Sequence, residues 1–90
     1  MKGFLTYDSD MSEPIPLGKY RHYKGDDYEL IAVALHTETH EKMAVYRALY
    51  SPEDLIEEYG EHPVFVRPYT MFIEHVLHHG VSVPRFEFQS

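Results

Sequence analysis

The sequence predicts a mainly β domain, a small antiparallel, SH3-like, partly closed barrel with one short helix. Three observations carry that expectation. Residues 18–50, GKYRHYKGDDYELIAVALHTETHEKMAVYRALY, hold three runs rich in Tyr, Val, Ile and Leu, joined by two short polar connections of hairpin length. Gly60, Pro68, Gly80 and Pro84 then divide the remainder into pieces too short for long helices. Eight Tyr and five Phe supply the bulk for a single core in a chain of 90 residues without Trp or Cys.

Met1–Leu17 carries Asp8, Asp10, Glu13, Pro14 and Pro16 with no sustained period, so it reads as an extended lead-in to one domain over residues 18–90. Gly18–Tyr23 alternates Tyr20 and His22 against Lys19, Arg21 and Tyr23, as a first strand should. Lys24-Gly25-Asp26-Asp27 turns the chain, with Gly25 free to take positive φ. Tyr28–Thr37 is apolar at every position from Leu30 to Leu35, which predicts either a central strand covered on both faces or a strand of a small closed barrel. Glu38–Lys42 is the second connection. Met43–Tyr50 sets Val45, Arg47 and Leu49 on one face and Ala44, Tyr46, Ala48 and Tyr50 on the other.

Ser51-Pro52-Glu53-Asp54 is a helix start. Ser51 can cap, Pro52 suits the first helical position, and the acids favour the positive helix end. The helix is expected over Pro52–Tyr59, stopping at Gly60. Val64–Arg67 is a fourth strand ended by Pro68, Tyr69–Phe72 is a single helical turn, and Val81–Phe88 alternates but is confined to an edge or loop by Pro84.

Charge and composition narrow the function. A net charge of −7 opposes general nucleic-acid binding, which needs a basic surface. The lack of Cys removes disulfides, thiolate metal sites and thiol nucleophiles, and suits a reducing cytoplasm. No apolar run is long enough to span a membrane, and the first ten residues lack the apolar centre of a signal peptide. The expectation is a cytoplasmic protein without a membrane partner. Lys19, Arg21 and Lys24 cluster early, while Glu53, Asp54, Glu57, Glu58 and Glu61 cluster late, which leaves room for a homo-oligomer.

Four linked motifs, GKYRHYKGDDYE, HTETHEKMAVYRALY, VRPYTMFIEHV and VPRFEF, closely resemble the bacterial family catalogued as domain of unknown function 1653. The resemblance covers about Leu17 to Phe88. It implies a small β-rich domain, and it assigns no catalytic or binding residue. The segment SPEDLIEEYGEHP departs from the family pattern as an insertion-like link between the third and fourth strands.

His36, Glu38 and His40 alternate and have ligand chemistry, but they fall in a polar hairpin tip with no fourth ligand, so no metal or cofactor is expected. A small metal-dependent or His/Glu-based enzyme would use His22, His36 and Glu38. No Gly-rich phosphate loop or Ser-based triad supports catalysis. Arg47 and Arg67 sit in otherwise apolar strands, where a guanidinium needs a partner; a structural ion-pair network with Glu38 and Glu74 is favoured, and an anion or carboxylate site at the barrel mouth is the alternative. The favoured reading is a non-catalytic module. Tyr20, His22, Tyr46, Arg47 and Arg67 would form an aromatic, arginine-bearing surface for a small ligand, a peptide or a nucleic-acid segment.

Overall fold

A computed structural model describes residues 15–90. Most of the expected lead-in, residues 1–14, lies outside the described residues. From Ile15 onward the chain is mainly β. Seven strands run β1 Gly18–His22, β2 Asp27–Leu35, β3 Lys42–Ala48, β4 Val64–Pro68, β5 His75–His78, β6 Val81–Pro84 and β7 Phe86–Phe88. Two single-turn helices interrupt them, α1 Ile56–Tyr59 before β4 and α2 Tyr69–Phe72 after it.

Five strands form one antiparallel sheet in the order β4-β3-β2-β1-β7, and β5 and β6 form a separate hairpin. The large sheet curls without closing. Phe86 on β7 lies at one end of the strand order, yet its ring is 5.4 Å from that of Tyr46 on β3 and 5.4 Å from the guanidinium of Arg67 on β4. The two ends of the sheet thus face each other through side chains alone. That is a partly closed barrel.

The period of two explains which residues fill it. Tyr20 of β1, Leu30 of β2, and Ala44, Tyr46 and Ala48 of β3 all point to the concave side and are buried. Phe72 of α2 drops into the same space, stacked on Phe86 with ring centres 4.2 Å apart and planes 10° apart. Tyr20 and Tyr46 meet Phe72 at 5.3 and 5.4 Å. The hydroxyl of Tyr20 still finds a partner, donating to the Pro16 carbonyl at 2.6 Å, so its burial leaves no polar atom stranded.

Two expectations need correction. The central strand is not covered along its length, because the β2–β3 register slips between Leu30 and Ala32. The slip inserts a residue and turns the strand, so Val33, Ala34 and Leu35 run out beyond the core as an exposed arm. The helix is also shorter than Pro52–Tyr59. Residues 53–55 form a turn, the amides of Leu55 and Ile56 both donate to the Pro52 carbonyl, and no side chain caps the start. Gly60 does end it, with φ 89° and its amide bonded to the Ile56 carbonyl.

Gly18 is held where no other residue fits. Its φ is 130°, and a Cβ there would lie 2.5 Å from the Ser90 carbonyl oxygen. The Ser90 oxygen is fixed because it accepts the Lys19 amide at 2.9 Å. Gly18→Ala is therefore expected to cost about 1–3 kcal/mol, from backbone strain plus displacement of the last residues. Urea denaturation checks this; a cost below about 0.5 kcal/mol would refute the close approach.

Candidate functional site

The concave face ends in a cup of about 170 Å³ lined by His22, Tyr28, Tyr46, Phe65, Arg67 and Phe86. Each wall follows from strand parity. Tyr28 lies two residues before buried Leu30, and Phe65 and Arg67 lie opposite inward-facing Tyr46 and Ala44 in the β3–β4 register. His22 pairs with Phe86 in the β1–β7 register. Their rings pack edge to face, with centres 5.0 Å apart.

The structure brings together three of the five residues expected to bind. His22, Tyr46 and Arg67 share the cup. Tyr20 belongs to the core beneath it, against Phe72 and Phe88. Arg47 is on the opposite face, cross-strand from Glu29 and Val64. Adjacent residues on a strand point to opposite sides, so Tyr46 and Arg47 cannot line one pocket. Tyr28, Phe65 and Phe86 take the vacant places. For Tyr28 and Phe65 the signal was a spacing of two from Leu30 and Arg67.

The ion-pair network expected around Arg47 and Arg67 does not form. Glu74 pairs instead with Arg85 at 3.2 Å, and Asp27 collects Lys19 and Arg21 at 3.6 and 2.8 Å. Among the described residues no carboxylate pairs with Arg67. Its Nε donates to the Tyr46 hydroxyl at 3.1 Å, and the guanidinium lies over Phe86 and Tyr46 at 5.4 and 5.9 Å from their ring centres. Aromatic faces hold the cation in place without neutralising it.

His22 is kept neutral. Burial pushes its pKa down, and the nearby charges of Arg67, Lys24 and Arg85 add to that against the opposing effect of Asp26. The Lys24 amide donates to Nδ1 at 3.1 Å, so the proton of the neutral ring sits on Nε2. The ring is then a hydrogen-bond donor beside Arg67 rather than a base. Tyr28 is also tuned: burial and a 2.7 Å hydrogen bond with the Tyr50 hydroxyl push its pKa up, holding the phenol neutral.

The depressed pKa of His22 has a measurable consequence. The unfolded chain takes up a proton near pH 6.5 that the folded chain refuses, so the folded state loses stability as pH falls from 6.5 towards the lower native value. Urea midpoints at about pH 7.5 and 5.5 should differ for the native sequence, and the gap should shrink in His22→Phe. An unchanged gap would remove His22 as its source.

The other histidines do not converge on this cup. His36 and Glu38 lie at the β2–β3 turn, a full strand away from His22, or about 26 Å at strand rise. The His36 Nδ1 accepts the amides of Glu38 and Thr39 at 3.2 and 3.3 Å, so it stabilises the turn. The set His22, His36 and Glu38 is therefore not assembled as a catalytic site. Among the described residues no three His, Asp or Glu side chains are placed to hold a metal ion, and no helix is long and apolar enough to cross a membrane.

An open antiparallel β-domain with an aromatic cup around an arginine that has no acid partner among the described residues defines the class. The family follows from comparison with known proteins. A family model described as a protein of unknown function, DUF1653, matches residues 18–88, and the chain belongs to that family. It is similar to a solved structure of a DUF1653 protein from Bordetella bronchiseptica, with 33% identity over 83% of this chain and 87% of that one, at a TM-score of 0.71. A comparison with curated proteins finds no match.

Proposed function

We propose that this chain is a non-catalytic binding module whose ligand places a carboxylate or phosphate against Arg67 and a planar or apolar body among the rings of the cup. One observation carries the reading: Arg67 has no acid partner among the described residues, although it is half-buried beside four aromatic rings. A desolvated cation without a counter-charge is costly, and a ligand anion offsets that cost. The Nε2–H of His22 adds a second donor, and Phe65, Tyr28 and Phe86 offer faces and edges for stacking. Catalysis is disfavoured because the one histidine in the cup presents a proton donor where a general base would need a lone pair.

The test is an amide NMR titration with acetate, benzoate and adenosine monophosphate. Benzoate and the nucleotide should shift the amides of residues 22, 28, 46, 65, 67 and 86, with acetate weaker because it lacks a ring. Arg67→Met should weaken binding about 10- to 100-fold, the scale of one charge-assisted hydrogen-bonded pair. Arg67→Lys should recover only part of it, since the planar fork is lost. Shifts confined to residues outside the cup, or an unchanged affinity in Arg67→Met, would defeat the proposal.

A further inference from the structure

Beside the cup, the edge of β4 narrows what carries the anion. In an antiparallel ladder, alternate residues turn their backbone groups to one neighbour and then to the other. The Ala48 amide donates to the Pro63 carbonyl at 3.0 Å, and the register continues with Tyr46 opposite Phe65 and Ala44 opposite Arg67. Phe65 and Arg67 therefore bond to β3. Val64 and Val66 direct N–H and C=O outward, joined by the Pro68 carbonyl. Among the described residues no strand pairs with that side of β4. A groove of about 380 Å³, lined by Leu55, Tyr59, Pro63, Val64, Phe65 and Val66, runs along it. Val64-Phe65-Val66 contains none of the lysines or prolines that usually guard a free edge.

From these placements we infer that β4 takes up an extended acidic peptide as an added antiparallel strand, with a carboxylate side chain directly across from Arg67. The inference rests on the anion-site reading above, because the uncompensated charge of Arg67 is what selects an acidic partner. A second copy of the chain fits less well. The two-fold register that pairs Val64 with Val66 of its mate sets Pro63 opposite Arg67, and the one that pairs Val64 with Val64 sets Glu61 there, but Glu61 lies in the bend before β4 and outside the strand.

The register specifies the peptide. Residues directly opposite share a face, with Cβ atoms about 4.5–5.5 Å apart. The residue across from Arg67 must be Asp or Glu. Next comes a residue that exchanges both hydrogen bonds with Val66 and covers it on the outer face, where Val66 is exposed. After that comes an apolar or aromatic residue across from Phe65, at the rim of the cup. Read from its N-terminus, the pattern is acid, β-branched, aromatic.

The probe is acetyl-Thr-Glu-Val-Phe-Val-Thr-amide, titrated into the isotope-labelled full chain. It should shift the Val64 and Val66 amides, and replacing its Glu by Lys should abolish binding. N-methylation of its first Val removes the bond to the Val66 carbonyl and should weaken binding at least about tenfold. N-methylation of its Phe, whose N–H faces away from β4, should change affinity less than about twofold. Equal effects of the two methyl groups, with benzoate still bound at Arg67, would overturn strand addition and leave the anion site standing. If neither peptide nor benzoate shifts the cup, the anion-site reading fails first and takes this one with it. Sedimentation showing a dimer that Val66→Lys dissolves would assign the edge to a second copy and overturn the peptide.

Discussion

Phe72→Ala should leave the domain at the margin of folding. Phe72 is 1% exposed and stacks on Phe86, with Tyr20 and Tyr46 against its edges. It is also one of the two buried residues of α2, a four-residue helix with no side-chain cap to hold it otherwise. Removing a buried phenyl ring costs about 3–5 kcal/mol, made up of lost transfer energy and the cavity left behind. Small domains have about 5–15 kcal/mol in total, so this one change consumes much of the margin. At about 4–8 °C per kcal/mol, the melting temperature should drop by at least about 12 °C. Thermal and urea unfolding followed by circular dichroism give the answer. Phe72→Leu keeps most of the volume and serves as the folded comparison, and a loss in Phe72→Ala no greater than in Phe72→Leu would mean the stack contributes little.

The second large effect is a contrast within one strand. Leu30→Ala should cost about 2–5 kcal/mol, while Leu35→Ala should stay within about 0.5 kcal/mol. The side chains are identical, the strand is the same, and both lie in one unbroken apolar run. Leu30 is 1% exposed and packs among Tyr20, Tyr46 and Phe72, whereas Leu35 is 60% exposed on the arm beyond the register slip. Comparing denaturant midpoints of the two variants tests the slip directly. Similar costs at both positions would place Leu35 under cover and contradict the register.

That pair also shows how far the sequence could be followed. Turn chemistry at Lys24–Asp27 and Glu38–Lys42 marked the first two hairpins, and alternation in Met43–Tyr50 sorted Ala44, Tyr46 and Ala48 onto the face that proves buried. These are local signals. The slip after Leu30 is not, since nothing in LIAVAL distinguishes a covered strand from an overhanging one. The cup has the same character. Strand parity alone separates Tyr46 from Arg47, so that error was avoidable from the sequence. Parity also ties Phe65 to Arg67. Placing Phe86 over Arg67, however, depends on the curl of five strands, which brings together residues 19 positions apart and from opposite ends of the sheet. Glu74 was a reasonable partner for Arg67 by composition, but β5 and β6 form their own hairpin and the turn after β6 gives Glu74 to Arg85.

The clasp between Lys19 and residues 89–90 has a bearing on how the fold can be handled. The Gln89 amide donates to the Lys19 carbonyl at 2.7 Å while the Lys19 amide donates to Ser90, so the segment leading into β1 and the segment leaving β7 adjoin at one spot. A unit whose two ports adjoin can be spliced into the loop of a host protein without stretching either. A reporter grafted that way would carry the cup on the side chosen by the host, with both junctions already stitched together.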